Sequence, residues 1–101
     1  MNTITESSYF SEWFKSLRDT KGRARIAARI DSAKAGNFGD HKVLDGGVSE
    51  MRIDFGPGYR VYYAQKGLRL YLLICGGDKS TQQNDIARAK ELWRFIQEAR
   101  Q

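Results

Sequence analysis

The stretch SEMRIDFGPGYRVYYAQKGLRLYLLICGGDKSTQ, residues 49–82, reads as three consecutive strands joined by two turns. Gly56-Pro57-Gly58 breaks the first run, because proline fixes φ and lacks an N–H while both glycines tolerate positive φ. Lys66-Gly67 breaks the second, and Gly76-Gly77 is expected to end the third. Between the breaks lie Ile53, Phe55, Tyr59, Val61, Tyr62, Tyr63, Leu70, Tyr71, Leu72, Leu73 and Ile74, which favour a pleated surface.

Successive strand side chains point to opposite faces. Met51, Ile53 and Phe55 form one apolar set, with Arg52 and Asp54 between them. Val61 and Tyr63 share a face, and Arg60 and Tyr62 share the other. In the third strand Leu70, Leu72 and Ile74 oppose Tyr71, Leu73 and Cys75, so both faces are apolar, as in a strand covered twice. One face is therefore expected to be dry under helices. The other should be half covered, with Arg52, Arg60 and the Gly-Gly-Asp-Lys segment at its open part.

A chain of 101 residues sustains one core, so residues 1–101 read as one domain. Its 17 basic and 12 acidic residues leave a net charge of +5, which favours polyanions such as nucleic acid. Cys75, the single cysteine, has no internal disulfide partner and reads as a buried thiol in a reducing compartment. One histidine and one cysteine without a carboxylate cluster give no zinc site. Residues 1–8 are polar and read as no signal peptide, and no apolar run is long enough to span a bilayer. A cytoplasmic protein is the expectation.

Residues 2–5 read as a short first strand. Ser7 or Ser8 then offers an N-cap to a helix whose stripe is Phe10, Trp13, Phe14 and Leu17, ending near Arg18. Asp19 or Thr20 caps a second helix whose apolar stripe is Ala24, Ala27 and Ile30, joined by Ile26 and Ala33, with Gly36 at its end. Lys21, Arg23, Arg25, Arg29 and Lys34 fall on its solvated faces. The two helices read as an antiparallel hairpin joined at residues 19–21. Residues 37–42, including His41, read as a loop, and a strand starts at Val43–Leu44 before the turn Asp45-Gly46-Gly47. After Lys79, Ser80 and Gln83 have capping-box spacing, with Thr81 the competing cap. The last helix carries Ile86, Ala89, Trp93 and Ile96 inward and runs to about Arg100. The fold class is α+β, in the order β-α-α-β-β-β-β-α, on a mostly antiparallel sheet.

The segments GPGYRVYYAQKG (residues 56–67) and LLICGGDKSTQQNDI (residues 72–86), with SEWFKSL (residues 11–17) in the first helix, resemble the RelE/ParE superfamily of type II toxins. Within it the chain looks like the addiction-module killer proteins related to HigB. The resemblance covers nearly the whole chain and implies a RelE/ParE-like fold. It also implies a toxin neutralised by a cognate antitoxin, a small helix-turn-helix DNA-binding protein, in a heteromeric complex. Many members of the superfamily cut mRNA on the ribosome without a metal or other cofactor, setting the RNA 2′-hydroxyl against the adjacent phosphate. That chemistry needs a base, an acid, and cations around the phosphate.

Under the resemblance Arg60 matches the arginine after Gly-Tyr and stabilises the phosphate. Arg52 falls at a basic position on the preceding strand, and Lys79 at one after the last strand. Asp78, like Asp54, is a carboxylate able to act as a base, and pairing with Lys79 or Arg52 is its competing use. Tyr62, Arg23 and Lys66 are the accompanying candidates for substrate contact. Two departures stand out. Asp54 replaces a second basic residue of the nuclease members, and residues 82–86 hold no aromatic or histidine to act as acid or base. ParE-type relatives lack the nuclease set and poison DNA gyrase by protein binding, which makes that the alternative activity. A basic groove that serves only to hold the antitoxin is the third.

Overall fold

The computed structural model describes residues 1–99. The chain runs β1 (Thr3–Glu6), α1 (Ser8–Ser16), α2 (Thr20–Lys34), β2 (His41–Val43), β3 (Val48–Ile53), β4 (Tyr59–Gly67) and β5 (Leu70–Asp78). A 3₁₀ turn, Lys79–Thr81, then leads into α3 (Gln82–Ala99). The element order is the expected one, and the expected helix end near Arg100 lies outside the described residues. The five strands form one sheet in the order β1-β5-β4-β3-β2. β1 runs parallel to β5, and every other pair is antiparallel.

Both faces of this α+β domain are covered. Phe10 of α1 and Ile26 of α2 pack with Met51, Ile53, Tyr59, Val61, Tyr63 and Leu73 on one face. Ala89 and Trp93 of α3 pack with Val48, Tyr62, Ala64, Leu72, Ile74 and Cys75 on the other. Cys75 departs from the expected alternation, which placed it with Tyr71 and Leu73. Tyr62 pairs with Cys75 and Tyr63 with Leu73, so Ile74 is an extra residue in β5. This bulge resets the pleat and turns both Ile74 and Cys75 toward α3.

The glycines divide into two kinds. Gly56 and Gly58 supply the turn after β3, with φ of +56° and +80°. Gly76 and Gly77 do not end β5, which continues to Asp78. A Cβ at Gly76 would run into the Trp13 ring, and one at Gly77 into the Asp85 carboxylate. The pair therefore lets α1 approach from one side and α3 from the other.

Three boundaries also move. α1 stops at Ser16 because Leu17 is extended, and Asp19 caps α2 by accepting from the Gly22 N–H at 2.9 Å. The link is thus residues 17–19. α1 rests mainly on β5 and α2 on β1 and β3, and Phe10 of α1 and Ile26 of α2 share one core cluster. The expected loop at 37–42 gives way at His41, where β2 begins and pairs with β3, His41 opposite Met51. Ser80 does not box with Gln83; Asp78 caps the 3₁₀ turn reciprocally with Thr81.

Candidate functional site

The sheet face under α3 is covered row by row. Glu50, Tyr62 and Cys75 stand side by side on β3, β4 and β5, and the next row is Arg52, Arg60 and Gly77. The first row lies under the start of α3; in the second, Gly77 lies against Asp85 of its first turn, while Arg52 and Arg60 emerge beyond it. Lys79 follows in the 3₁₀ turn. Arg52, Arg60 and Lys79 meet around an open depression of about 250 Å³, which Asp40, Asp54 and Gly58 complete. Gly58 matters here beyond its φ, because a Cβ there would lie 3.3 Å from Lys79 Cβ and 3.7 Å from Arg60 Nη1.

The three cations are held differently. Arg60 Nη1 donates only long bonds, 3.4 Å each, to the carbonyls of Gly58 and Tyr59, and its Nε is buried without a partner. Arg52 Nε lies 3.6 Å from Glu50 and 3.9 Å from Asp40 and is likewise buried without a hydrogen bond. Lys79 is exposed. The expected pairing of Asp54 or Asp78 with Arg52 or Lys79 is not formed among the described residues. Asp40 and Glu50 take the role beside Arg52. Asp78 instead accepts from the Ser80 N–H at 2.8 Å and from its hydroxyl at 2.5 Å, which spends its carboxylate on the turn.

Glu50 is the residue that sequence reasoning missed. It is 1% exposed. Its Oε2 accepts from the Tyr62 hydroxyl at 3.2 Å and from Gln82 Nε2, at the first residue of α3, at 2.8 Å. The available signal was parity, since Glu50 sits two residues before Arg52 and therefore on the same face. Tyr62 is displaced from its expected role. It is fully buried under α3 rather than open to a substrate, and burial, followed by the charge of Glu50, pushes its phenol pKa far above the ordinary range.

Arg23 and Lys66 are not brought to this cluster. Arg23 belongs to α2, whose core contacts lie on the other face. Lys66 sits at a second register shift near the far end of β4, six residues from Arg60, or roughly 20 Å along a strand. Arg29, expected in a solvated face, instead donates to the carbonyls of Arg52 at 2.5 Å, Phe38 at 2.9 Å and Asp40 at 3.0 Å. It thereby fixes the segment that places Asp40 beside Arg52.

A larger groove of about 480 Å³ opens at the other end of β3 and β4, between Phe38, His41, Ser49, Tyr63, Tyr71 and Trp93. Phe38 stacks on Tyr63 there, with ring centroids 4.7 Å apart. Size does not decide in its favour, since it gathers no charged side chains. Cys75 adds no nucleophile, because burial raises its thiol pKa to about 12. Among the described residues no three His, Cys, Asp or Glu side chains come together as metal ligands, and no helix is long and apolar enough to cross a membrane.

No family model matches the chain. A protein of Haemophilus influenzae, described as an uncharacterized protein, is 48% identical to it over 83 residues, covering 82% of this chain and 84% of the relative. At that identity and coverage, the chain belongs to the same family as the Haemophilus influenzae protein.

Proposed function

We propose that this protein is the toxin of a type II toxin–antitoxin system, a RelE/ParE-like domain that cleaves mRNA on the ribosome and so arrests translation. The observation that carries the reading is the convergence of Arg52, Arg60 and Lys79 on one open depression beyond the start of α3. Three cations lining one depression suit a phosphodiester, and an arginine fork holds two of its oxygens at once. As the 2′-hydroxyl attacks, charge grows on those oxygens, and donors already in place stabilise it without reorganising. Asp54 is the carboxylate lining the depression that is free of an ion pair among the described residues, so it is the candidate base. Induction in cells tests the reading. Arg60→Ala should abolish growth arrest and new mRNA 5′ ends on the order of 100- to 1000-fold while remaining folded. Arg60→Lys should restore part of the loss, and Arg94→Ala, on the exposed side of α3, should change nothing. A folded Arg60→Ala protein cutting mRNA at the wild-type rate overturns it.

One observation favours a second reading, inhibition of gyrase by protein binding. The depression holds no histidine or tyrosine, and His41 lines the aromatic groove instead. Growth arrest by the wild type without mRNA cleavage would select it.

A further inference from the structure

We infer that Glu50 is a positioning residue for the phosphate site, a buried strut that sets the guanidinium of Arg52. This rests on the reading that Arg52 and Arg60 hold phosphate. Glu50 does not reach a ligand itself, being 1% exposed with Oε2 already bonded to Tyr62 and Gln82. Its Oε1 has a different neighbour. Arg52 Nε lies 3.6 Å away, buried and without a hydrogen bond. Asp40 lies farther from the same nitrogen, at 3.9 Å, and is exposed, so the buried Glu50 oxygen is the nearer partner, and a movement of about 0.7 Å closes that pair to the usual ~2.9 Å. Closing it engages Nε and leaves Nη1 and Nη2 of Arg52 to the depression. An anion pulling on those nitrogens and Glu50 holding Nε from behind then fix the planar group at both ends. The strut is anchored in turn: Gln82 is the first residue of α3 and Tyr62 lies in the centre of the sheet. Arg52 is thus tied to the junction of helix and sheet, which Arg60 is not.

The test is a double-mutant cycle of the full chain, comparing wild type, Glu50→Gln, Arg52→Ala and the double variant. The probe is a 2′-O-methyl RNA trinucleotide, which lacks the attacking hydroxyl, with affinity measured by calorimetry. Glu50→Gln conserves shape but turns an amide toward donors, so it should weaken binding about 10-fold when Arg52 is present. In the Arg52→Ala background it should cost less than about 2-fold. Equal losses in both backgrounds overturn the proposal, because a merely structural role would be independent of Arg52. Should Glu50→Gln fail to fold, NMR of the wild type decides. The Arg52 Nε–Hε signal should move downfield and exchange more slowly when the trinucleotide is added, and an unmoved signal refutes the strut. Coupled binding without any mRNA cleavage would leave the strut standing and remove the nuclease reading. A wild type that does not bind the trinucleotide removes the strut and leaves the nuclease reading to the mRNA 5′ ends formed in cells.

Discussion

Tyr62→Phe removes a single oxygen from the middle of the sheet, and its cost follows from what that oxygen touches. The Tyr62 hydroxyl is fully buried and donates to Glu50 Oε2 at 3.2 Å. Hydrogen bonds to charged groups contribute about 1.5–3 kcal/mol. The separation is long for an O–H···O bond, whose usual length is about 2.7–2.8 Å, which puts this one at the low end. Gln82 at 2.8 Å remains on the same carboxylate oxygen, so Glu50 is not stripped of partners. The expected loss is therefore about 1.5 kcal/mol. For a domain of this size that lowers Tm by roughly 6–12 °C, at 4–8 °C per kcal/mol. Thermal denaturation followed by circular dichroism measures it, with binding of the trinucleotide measured on the same sample. A Tm within about 2 °C of the wild type would refute the reasoning, because the phenol would then contribute nothing to holding Glu50. Unchanged stability with lost binding would return Tyr62 to the role of a direct substrate contact.

Acid stability should depend on Asp19. Its carboxyl is held below the ordinary value of 3.8 by the Gly22 N–H and then by the Tyr59 hydroxyl at 2.8 Å. A lowered folded value means the contribution is complete above the ordinary value and is lost as pH falls through the folded one. The urea midpoint of the wild type should thus fall more steeply below about pH 4 than that of Asp19→Asn, and parallel curves would count against this. Cys75 should resist iodoacetamide at pH 8, because burial raises its thiol pKa to about 12 and leaves almost no thiolate. Labelling should follow only on unfolding in denaturant, and rapid labelling of the native protein would contradict the placement of Cys75 under α3.

The order of elements was legible because its signals are local. Positive-φ glycines, one proline and runs of β-branched and aromatic residues each act within a few positions, and the helix stripes repeat within two turns. The open-face cluster was legible for the same reason, since Arg52 and Arg60 follow from strand parity and Lys79 from its place after the last strand. What escaped depends on partners distant in the chain. The bulge at Ile74 is a property of the β4–β5 register, not of the LLICGG segment alone. Gly76-Gly77 has the composition of a turn, and only the arrival of Trp13 and Asp85 from opposite faces gives it another purpose. Glu50 has the composition of an exposed strand residue. Its burial is decided by where α3 begins, 32 positions later.

That starting point also explains why two arginines remain open on a face that is otherwise core. Ala89 and Trp93 fix α3 over Tyr62, Ala64, Leu72 and Ile74. Asp78 caps the preceding 3₁₀ turn, and Gln82 ties the first helical residue to Glu50. The helix therefore covers the row of Glu50, Tyr62 and Cys75 and, through Asp85 of its first turn, Gly77 of the next row, but stops short of Arg52 and Arg60. Neighbouring rows on one face are two residues apart, about 7 Å, and one helical turn advances 5.4 Å. An added turn at the N-terminus of α3, if laid over this row, would close the depression that Arg52 and Arg60 share with Asp54. Ending α3 one turn later would expose Glu50 and Tyr62. The cap at Asp78 and the bond from Gln82 to Glu50 hold the helix between those limits, so the residues that terminate α3 also set how much of the cationic row a ligand can reach.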